Sequence, residues 1–257
     1  MKLTGERPLE GKTPPALLAL HEAGYREVVD RLGPGRVLDV GCGVGDYSQR
    51  MAGDGRMVLG VDYDAATAST ATRAHPGLQA IAADGARVPL RTGAVDWACS
   101  SHLIEHFHDP EPHVAELARV VSGNGAAFVI TPNAPADFEN PYHVHLFEPT
   151  ELQAMLGRHF HDVEVLGLDG DAVVKADFER RRQIGRAVLR LDVFDLRHRV
   201  PARWYEALHA AGRRLVYPLV NRTQRDQPPI DASRFSITQA IDPTTLVLFA
   251  VARRPKR

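Results

Sequence analysis

Cysteine is nearly absent from this 257-residue chain, with Cys42 and Cys99 its two examples. Two thiols cannot build the disulfide framework of a small secreted domain, and they suit a reducing, cytoplasmic setting. Long apolar runs are missing as well. No stretch approaches the ~18–20 residues of a membrane span, and the opening "MKLTGERPLEGKTPP" has no signal-type apolar core. Neither sign of charge is in excess: 31 Lys and Arg face 32 Asp and Glu, so no global field points to nucleic acid or a membrane surface. Repeats and low-complexity tracts are also lacking. What remains is 44% hydrophobic and 25% charged, long enough for one large or two small domains with a sizeable core.

The apolar residues come in short continuous runs separated by helical patterns. Residues 1–35 read as a polar arm and a helix, "PALLALHEAGYREVVDRL", which opens at Pro14-Pro15 and breaks at Gly33-Pro34-Gly35. Residues 36–169 contain six candidate strands: "RVLDV", "RMVLGVD", "LQAIAAD", "AVDWACSS", "AAFVITPN" and "HDVEVLGL". The helical patterns "YSQRMAGD", "AATASTATRAH", "PEPHVAELARVVS" and "PTELQAMLGRHF" alternate with them. This alternation predicts a doubly wound, Rossmann-like α/β sheet, mostly parallel and covered on both faces. Residues 243–257 supply "TTLVLFAVARR" as a seventh strand, then a basic tail. Between strands six and seven, residues 170–242 are too long for a loop and predict a helical insertion. Its stretch 175–225 carries thirteen Lys and Arg against five Asp and Glu. The insertion reads either as a cap that selects an anionic or polyhydroxy substrate or as a solvated face or homo-oligomer contact. Aromatics do not interleave with its arginines, which argues against a nucleic-acid face.

The first strand runs into "VLDVGCGVGDYS", which sets Gly41, Gly43 and Gly45 between a strand and a helix. Glycine lets a ligand approach such a backbone without a Cβ in the way. A dinucleotide fingerprint needs glycine where this chain has Asp46, and Asp39 would repel a pyrophosphate. A ligand bearing an amino group and a sulfonium cation would instead welcome Asp39. Strand two ends in "GVDYD", where Asp62 can accept both hydroxyls of a ribose. Strand three ends in "AADGA", where Asp84 can accept an adenine amino group and the backbone near Gly85 can meet the ring nitrogens. One strand-end acid is often a helix cap, whereas three beside a glycine loop point to a nucleoside.

From Val37 to Asn133 these segments, with "VDWACSSHLIEHFHDP" and "AELARVVSGNGAAFVITPN", resemble a class I S-adenosylmethionine-dependent methyltransferase. The resemblance implies a seven-stranded sheet with an antiparallel last strand and S-adenosylmethionine as cofactor. It also implies cofactor contacts at Gly41, Gly43, Asp62, Tyr63, Asp84 and Gly85, with Ser100 and Ser101 near the methionine end. From other classes, the competing readings are a nucleotide-binding oxidoreductase and a non-catalytic module that holds the cofactor.

Four of the twelve histidines crowd into "SSHLIEHFHDPEPH", residues 100–113. His102, Glu105 and His106 spell H-x-x-E-H, the run of the inverted zinc peptidases. That reading fails because the run follows a strand directly and Pro110 soon interrupts it. On a helical turn the three share one face at metal-ligand spacing. The layout is similar to metal-dependent O-methyltransferases of small RNA ends, and to the ubiquinone-pathway enzymes, where an E-x-x-E-H run is joined by a later histidine. By that resemblance His102, Glu105, His106 and His145 are candidate ligands for a divalent metal (Mn, Fe, Zn or Mg). Without a metal, His106, His143 and His145 are candidate bases, since histidine titrates near neutrality. "NPYHVH" and "TGERPL" further resemble segments of actinobacterial methyltransferases acting on sugars. The expectation is O-methylation of a small polyhydroxy, sugar or glycosidic acceptor, with N- or C-methylation of another metabolite as the alternative. His108 and His113 read as bystanders.

Overall fold

The computed structural model describes residue 8 and residues 13–137, 142–190 and 228–257. It divides into two units: Met1–Asp171 with Asp231–Arg257, and Ala172–Ile230. The first unit carries the sheet, in strand order β3-β2-β1-β4-β5-β8-β6-β7. Strands β1 (Gly35–Val40), β2 (Arg56–Asp62), β3 (Gln79–Ala82), β4 (Val95–Ser101) and β5 (Val121–Pro132) are parallel. Strand β8 (Val247–Pro255) runs antiparallel to both β5 and β6 (Phe160–Gly170), and β7 (Phe235–Thr238) runs antiparallel to β6. Helices α1 (Pro15–Val29), α2 (Ala65–Ala74), α3 (Glu111–Val120) and α4 (Pro149–His159) belong to this unit. The expected doubly wound architecture is therefore present, with an antiparallel C-terminal strand.

Burial on both faces of the sheet explains the unbroken apolar runs. Leu38, Phe128, Ile130, Leu248 and Phe249 are fully buried, because helices cover both faces and leave no wet side for alternating polar residues. Chain order reverses between β1 and β4, and the carboxyl ends of β1 to β5 share one edge of the sheet. Such a switch point leaves a crevice between the two crossovers, where ligands of open α/β sheets bind.

Two features differ from the sequence reading. There are eight strands among the described residues rather than seven, because residues 235–238, placed above in the helical insertion, pair with β6. The pattern "YSQRMAGD" makes a single 3₁₀ turn, Ser48–Met51, rather than a helix. Gly53, Asp54 and Gly55 all take left-handed φ, and this corner delivers the chain to β2 at Arg56 before a helix can grow. The second unit opens with helix α5 (Ala172–Arg190), within the stretch expected to form a helical insertion. A further segment of that insertion with a helical look, "ARWYEALHAAGRRLVYPLV", lies outside the described residues. Among the described residues no helix is long and apolar enough to cross a membrane.

Helix α1 buries Ala16, Ala19, Leu20, Ala23 and Val28, a stripe at three- and four-residue spacing. From the same helix the Tyr25 hydroxyl donates to Asp39 on β1 at 3.2 Å, and Ser48 Oγ donates to the same carboxylate at 2.5 Å. Asp39 thus joins α1, β1 and the turn after the glycine loop. Burial pushes its carboxyl up to about 6, against the hydrogen bonds from Ser48 and Tyr25. A raised folded-state pKa gives stability that is complete below the unfolded value near ~4 and is lost as pH rises through about 6. Asp39→Asn removes that titration. Urea unfolding of both proteins is expected to show the wild type losing about 3 kcal/mol relative to Asp39→Asn between pH 4 and 7; parallel profiles would refute it.

Candidate active site

The glycine loop departs from β1 in a conformation that L-residues avoid. Gly41 and Gly45 have φ of 85° and 89°, and a Cβ on Gly45 would lie 2.6 Å from Leu78. On Gly41 it would press on Leu103 at 3.2 Å, so the glycine lets the β4 turn approach the loop. Asp62, at the end of β2, is buried and organises both neighbours. It accepts from Gly43 N at 3.2 Å and from Asp64 N at 2.9 Å, fixing the loop against the turn that follows. Tyr63 beside it is 60% exposed, an open aromatic face next to the strand end. Asp84 is exposed and caps its own turn by accepting from Ala86 N at 2.9 Å. Ser101 Oγ, at the end of β4, is buried without a hydrogen-bond partner among the described residues.

Asp39 departs from its expected role. It is 0% exposed, with both oxygens engaged by Tyr25 and Ser48. Rather than meeting a ligand's cationic end, it supports the loop from beneath.

The turn after β4 brings the histidines together around one buried acid. His102 sits at φ 49°, a left-handed conformation that costs roughly 1 kcal/mol in a non-glycine residue. It turns the chain into the 3₁₀ segment Ile104–His106, where Glu105 is 0% exposed. Glu105 Oε2 accepts from Thr131 Oγ1 of β5 at 3.0 Å, and Oε1 lies 3.5 Å from His102 Nδ1. The His102 ring meets His21 of α1, with ring centroids 4.3 Å apart. Burial, followed by the His102 charge, holds His21 well below the usual histidine range.

The loop after β5 closes the wall. Val144 N and His145 N donate to the Glu105 carbonyl at 3.0 and 3.1 Å, and His106 Nδ1 donates to the Tyr142 carbonyl at 2.8 Å. His143 Nδ1 pairs with Asp137 Oδ1 at 2.9 Å, and both side chains are nearly buried. Ligand atoms of Glu105, His106 and His143 lie within 4.8 Å of one another. Burial alone would raise the Glu105 carboxyl, but hydrogen bonding and charge from His102, with the charges of His106 and His143, hold it below the ordinary range. Glu105 is therefore an ionised carboxylate at neutral pH.

Of the histidines expected in the site, His102, His106 and His143 gather at Glu105. His145 is directed elsewhere: its Nε2 pairs with Glu151 at 2.9 Å and its ring packs on Phe147. Sequence reading missed His21, Thr131 and Asp137. His21 shares a helix face with Tyr25 at four-residue spacing, a weak signal; Asp137 carries none, because its pairing depends on a loop bend.

The comparisons with known proteins agree with the fold. A methyltransferase domain family matches residues 38–129. A probable S-adenosylmethionine-dependent methyltransferase of Mycolicibacterium smegmatis is 30% identical over 255 residues, 95% of this chain and 96% of that protein. The chain belongs to the S-adenosylmethionine-dependent methyltransferases. A probable member from Mycobacterium tuberculosis is 32% identical over 155 residues, and that match spans a little over half of either protein, 58% of this chain and 57% of the other. A solved structure of a possible histamine N-methyltransferase from Thermotoga maritima shares the fold, with a TM-score of 0.59 at 13% identity over 93% of this chain and 91% of that one.

Asp62 organises the glycine loop at which the sequence leads one to expect the cofactor. Asp62→Ala removes a carboxylate whose hydrogen bonds set the loop, and isothermal titration with S-adenosylhomocysteine is expected to show at least roughly tenfold weaker binding. Unchanged affinity would show that Asp62 has no part in the site.

Proposed function

We propose that this chain transfers a methyl group from S-adenosylmethionine to a hydroxyl of a small polyhydroxy, sugar or glycosidic acceptor. The observation that carries this reading is the pairing of His143 with Asp137 beside buried Glu105. A carboxylate can only accept, so His143 Nδ1 holds the proton and Nε2 carries the lone pair, the form of a histidine base oriented by an acid. His106 is set in the same tautomer by the Tyr142 carbonyl. Asp137 Oδ2 and His102 Nε2 are buried without hydrogen-bond partners among the described residues, and Glu105 Oε1 has only the long 3.5 Å approach of His102 Nδ1 among them. Unsatisfied buried acceptors call for a ligand rich in donors, and hydroxyl groups are such donors.

Bound S-adenosylmethionine would supply a methyl carbon on a sulfonium, reactive enough that the protein needs no covalent nucleophile. The residues Gly41, Gly43, Asp62, Tyr63, Asp84, Gly85 and Ser101 would hold it. The wall of Glu105, His106 and His143 would orient the acceptor, with His143 Nε2 taking the hydroxyl proton as the oxygen attacks in line. Activation by a base matters for a hydroxyl and far less for an amine that arrives neutral, which is why the dyad favours O-methylation over N-methylation.

A second reading, metal-assisted transfer, is favoured by a specific feature. His106 and His143 each engage their Nδ1 with an outer acceptor, as metal-ligating histidines commonly do, while the acid between them is ionised. The ligand set would be Glu105, His106 and His143, with His102 supporting Glu105 and His145 left out. Mixed imidazole and carboxylate ligands suit Mn, Fe or Zn better than Mg. Such an ion would bind acceptor hydroxyls and lower their pKa.

Acceptor pools screened with labelled S-adenosylmethionine would supply the assay. Asp137→Asn and His143→Ala are each expected to lower turnover by about 10²–10⁴-fold with S-adenosylhomocysteine binding unchanged. Full turnover in His143→Ala would sink the base assignment and favour an amine or carbon acceptor. Elemental analysis and EDTA treatment separate the metal reading: turnover unaffected by chelation leaves the histidine base acting alone.

A further inference from the structure

His113 stands on α3, away from the histidine wall, and the sequence reads it as a bystander. The structure gives it three contacts of consequence. It is fully buried, with Nδ1 2.9 Å from the Gly85 carbonyl oxygen and Nε2 2.9 Å from Ser100 Oγ. A carbonyl oxygen cannot donate, so Nδ1 carries the proton and Nε2 accepts from the Ser100 hydroxyl, which defines a single neutral tautomer. The ring also stacks on Phe107, with centroids 4.9 Å apart and planes 12° from parallel. Phe107 directly follows His106. One side chain therefore touches the turn after β3, the end of β4 and the segment that carries the catalytic wall.

The turn it touches is anchored at both ends, where Ala83 N donates to the Asp62 carbonyl at 3.0 Å and Val88 N donates to Glu116 Oε1 at 2.6 Å. Asp84 Oδ1 accepts from Ala86 N and the Asp84 carbonyl accepts from Arg87 N, both at 2.9 Å and both within four residues. These bonds shape the turn and fix its ends, and none of them engages Gly85 at its middle. Among the described residues, His113 is the side chain that hydrogen-bonds Gly85. The approach is close: a Cβ on Gly85 would lie 3.1 Å from Val40, 3.4 Å from Phe107 and 3.5 Å from His113 Nδ1. Gly85 is thus pressed onto the ring, and Asp84 beside it projects its carboxylate from a backbone that His113 fixes.

We propose that His113 is a positioning residue for adenine recognition, holding the Asp84–Gly85 turn so that the Asp84 carboxylate meets the exocyclic amino group of the cofactor. This rests on the reading of Asp84 and Gly85 as adenine contacts. Burial holds His113 below the usual histidine range, so the neutral tautomer persists at neutral pH.

The test uses S-adenosylhomocysteine and its inosine counterpart, which carries a carbonyl in place of the amino group. Titration calorimetry on wild type is expected to show at least tenfold preference for the adenine ligand, the size of one well-made polar contact. His113→Phe keeps the ring and loses both hydrogen bonds; the preference is expected to fall to within about threefold. Two further variants separate positioning from packing. In His113→Asn the amide NH₂ takes the place of Nδ1–H and restores the preference, whereas in His113→Gln the longer amide reaches toward Ser100 and does not. A loss of affinity that is equal for both ligands in His113→Phe, or equal discrimination by the Asn and Gln variants, would overturn the proposal. A wild-type protein with no preference would overturn the adenine reading itself, and the proposal with it.

Discussion

A carboxylate buried without a lysine or arginine partner is the constraint around which the candidate site is arranged. Glu105 is fully buried, and among the described residues the titratable groups that act on it are three histidines. An isolated ion in such a place is costly, so its surroundings must supply hydrogen bonds, protons or a cation. Thr131 from β5 satisfies one oxygen, and the His102 ring, turned inward by a left-handed backbone, faces the other. The Glu105 carbonyl meanwhile receives two amides from the loop that carries His143. Side chain and backbone of one residue thus tie β4, β5 and the following loop into a single wall.

The cofactor side has a similar logic with a different acid. Asp62 faces the glycine loop and accepts the Gly43 amide, while Asp39, on the neighbouring strand, is enclosed by Tyr25 and Ser48. Two acids near one loop therefore divide the work: one shapes the glycine loop and the other anchors α1 behind it. Asp39 tolerates that enclosure by drifting toward protonation, as a carboxyl does when burial outweighs its hydrogen bonds.

Much of this was legible in the chain itself. The alternation of apolar runs and helical patterns anticipated β1 to β6, because strands buried on both faces must be continuously apolar. Gly41, Gly43, Asp62 and Asp84 stood out because a nucleoside site at strand ends requires small residues and acids at those points. The short turn at Ser48–Met51 was not legible as such, since its residues suit a helix and only the left-handed corner at Gly53–Gly55 stops one. Strand β7 was hidden because four residues of edge strand carry little periodic signal.

The sequence by itself determined the doubly wound sheet, the nucleoside-type loop and the concentration of histidines after the fourth strand. These are properties of local pattern and of the residue types that a strand end needs. Only the tertiary structure decided which histidines meet. His143 and His145 are two residues apart and equally plausible by spacing, yet one turns to Asp137 and Glu105 and the other to Glu151. His113, unremarkable in the sequence, reaches Gly85 and Ser100 because α3 packs where β3 and β4 end. Side-chain direction on a loop or a packed helix is set by neighbours distant in sequence, and no local pattern encodes it.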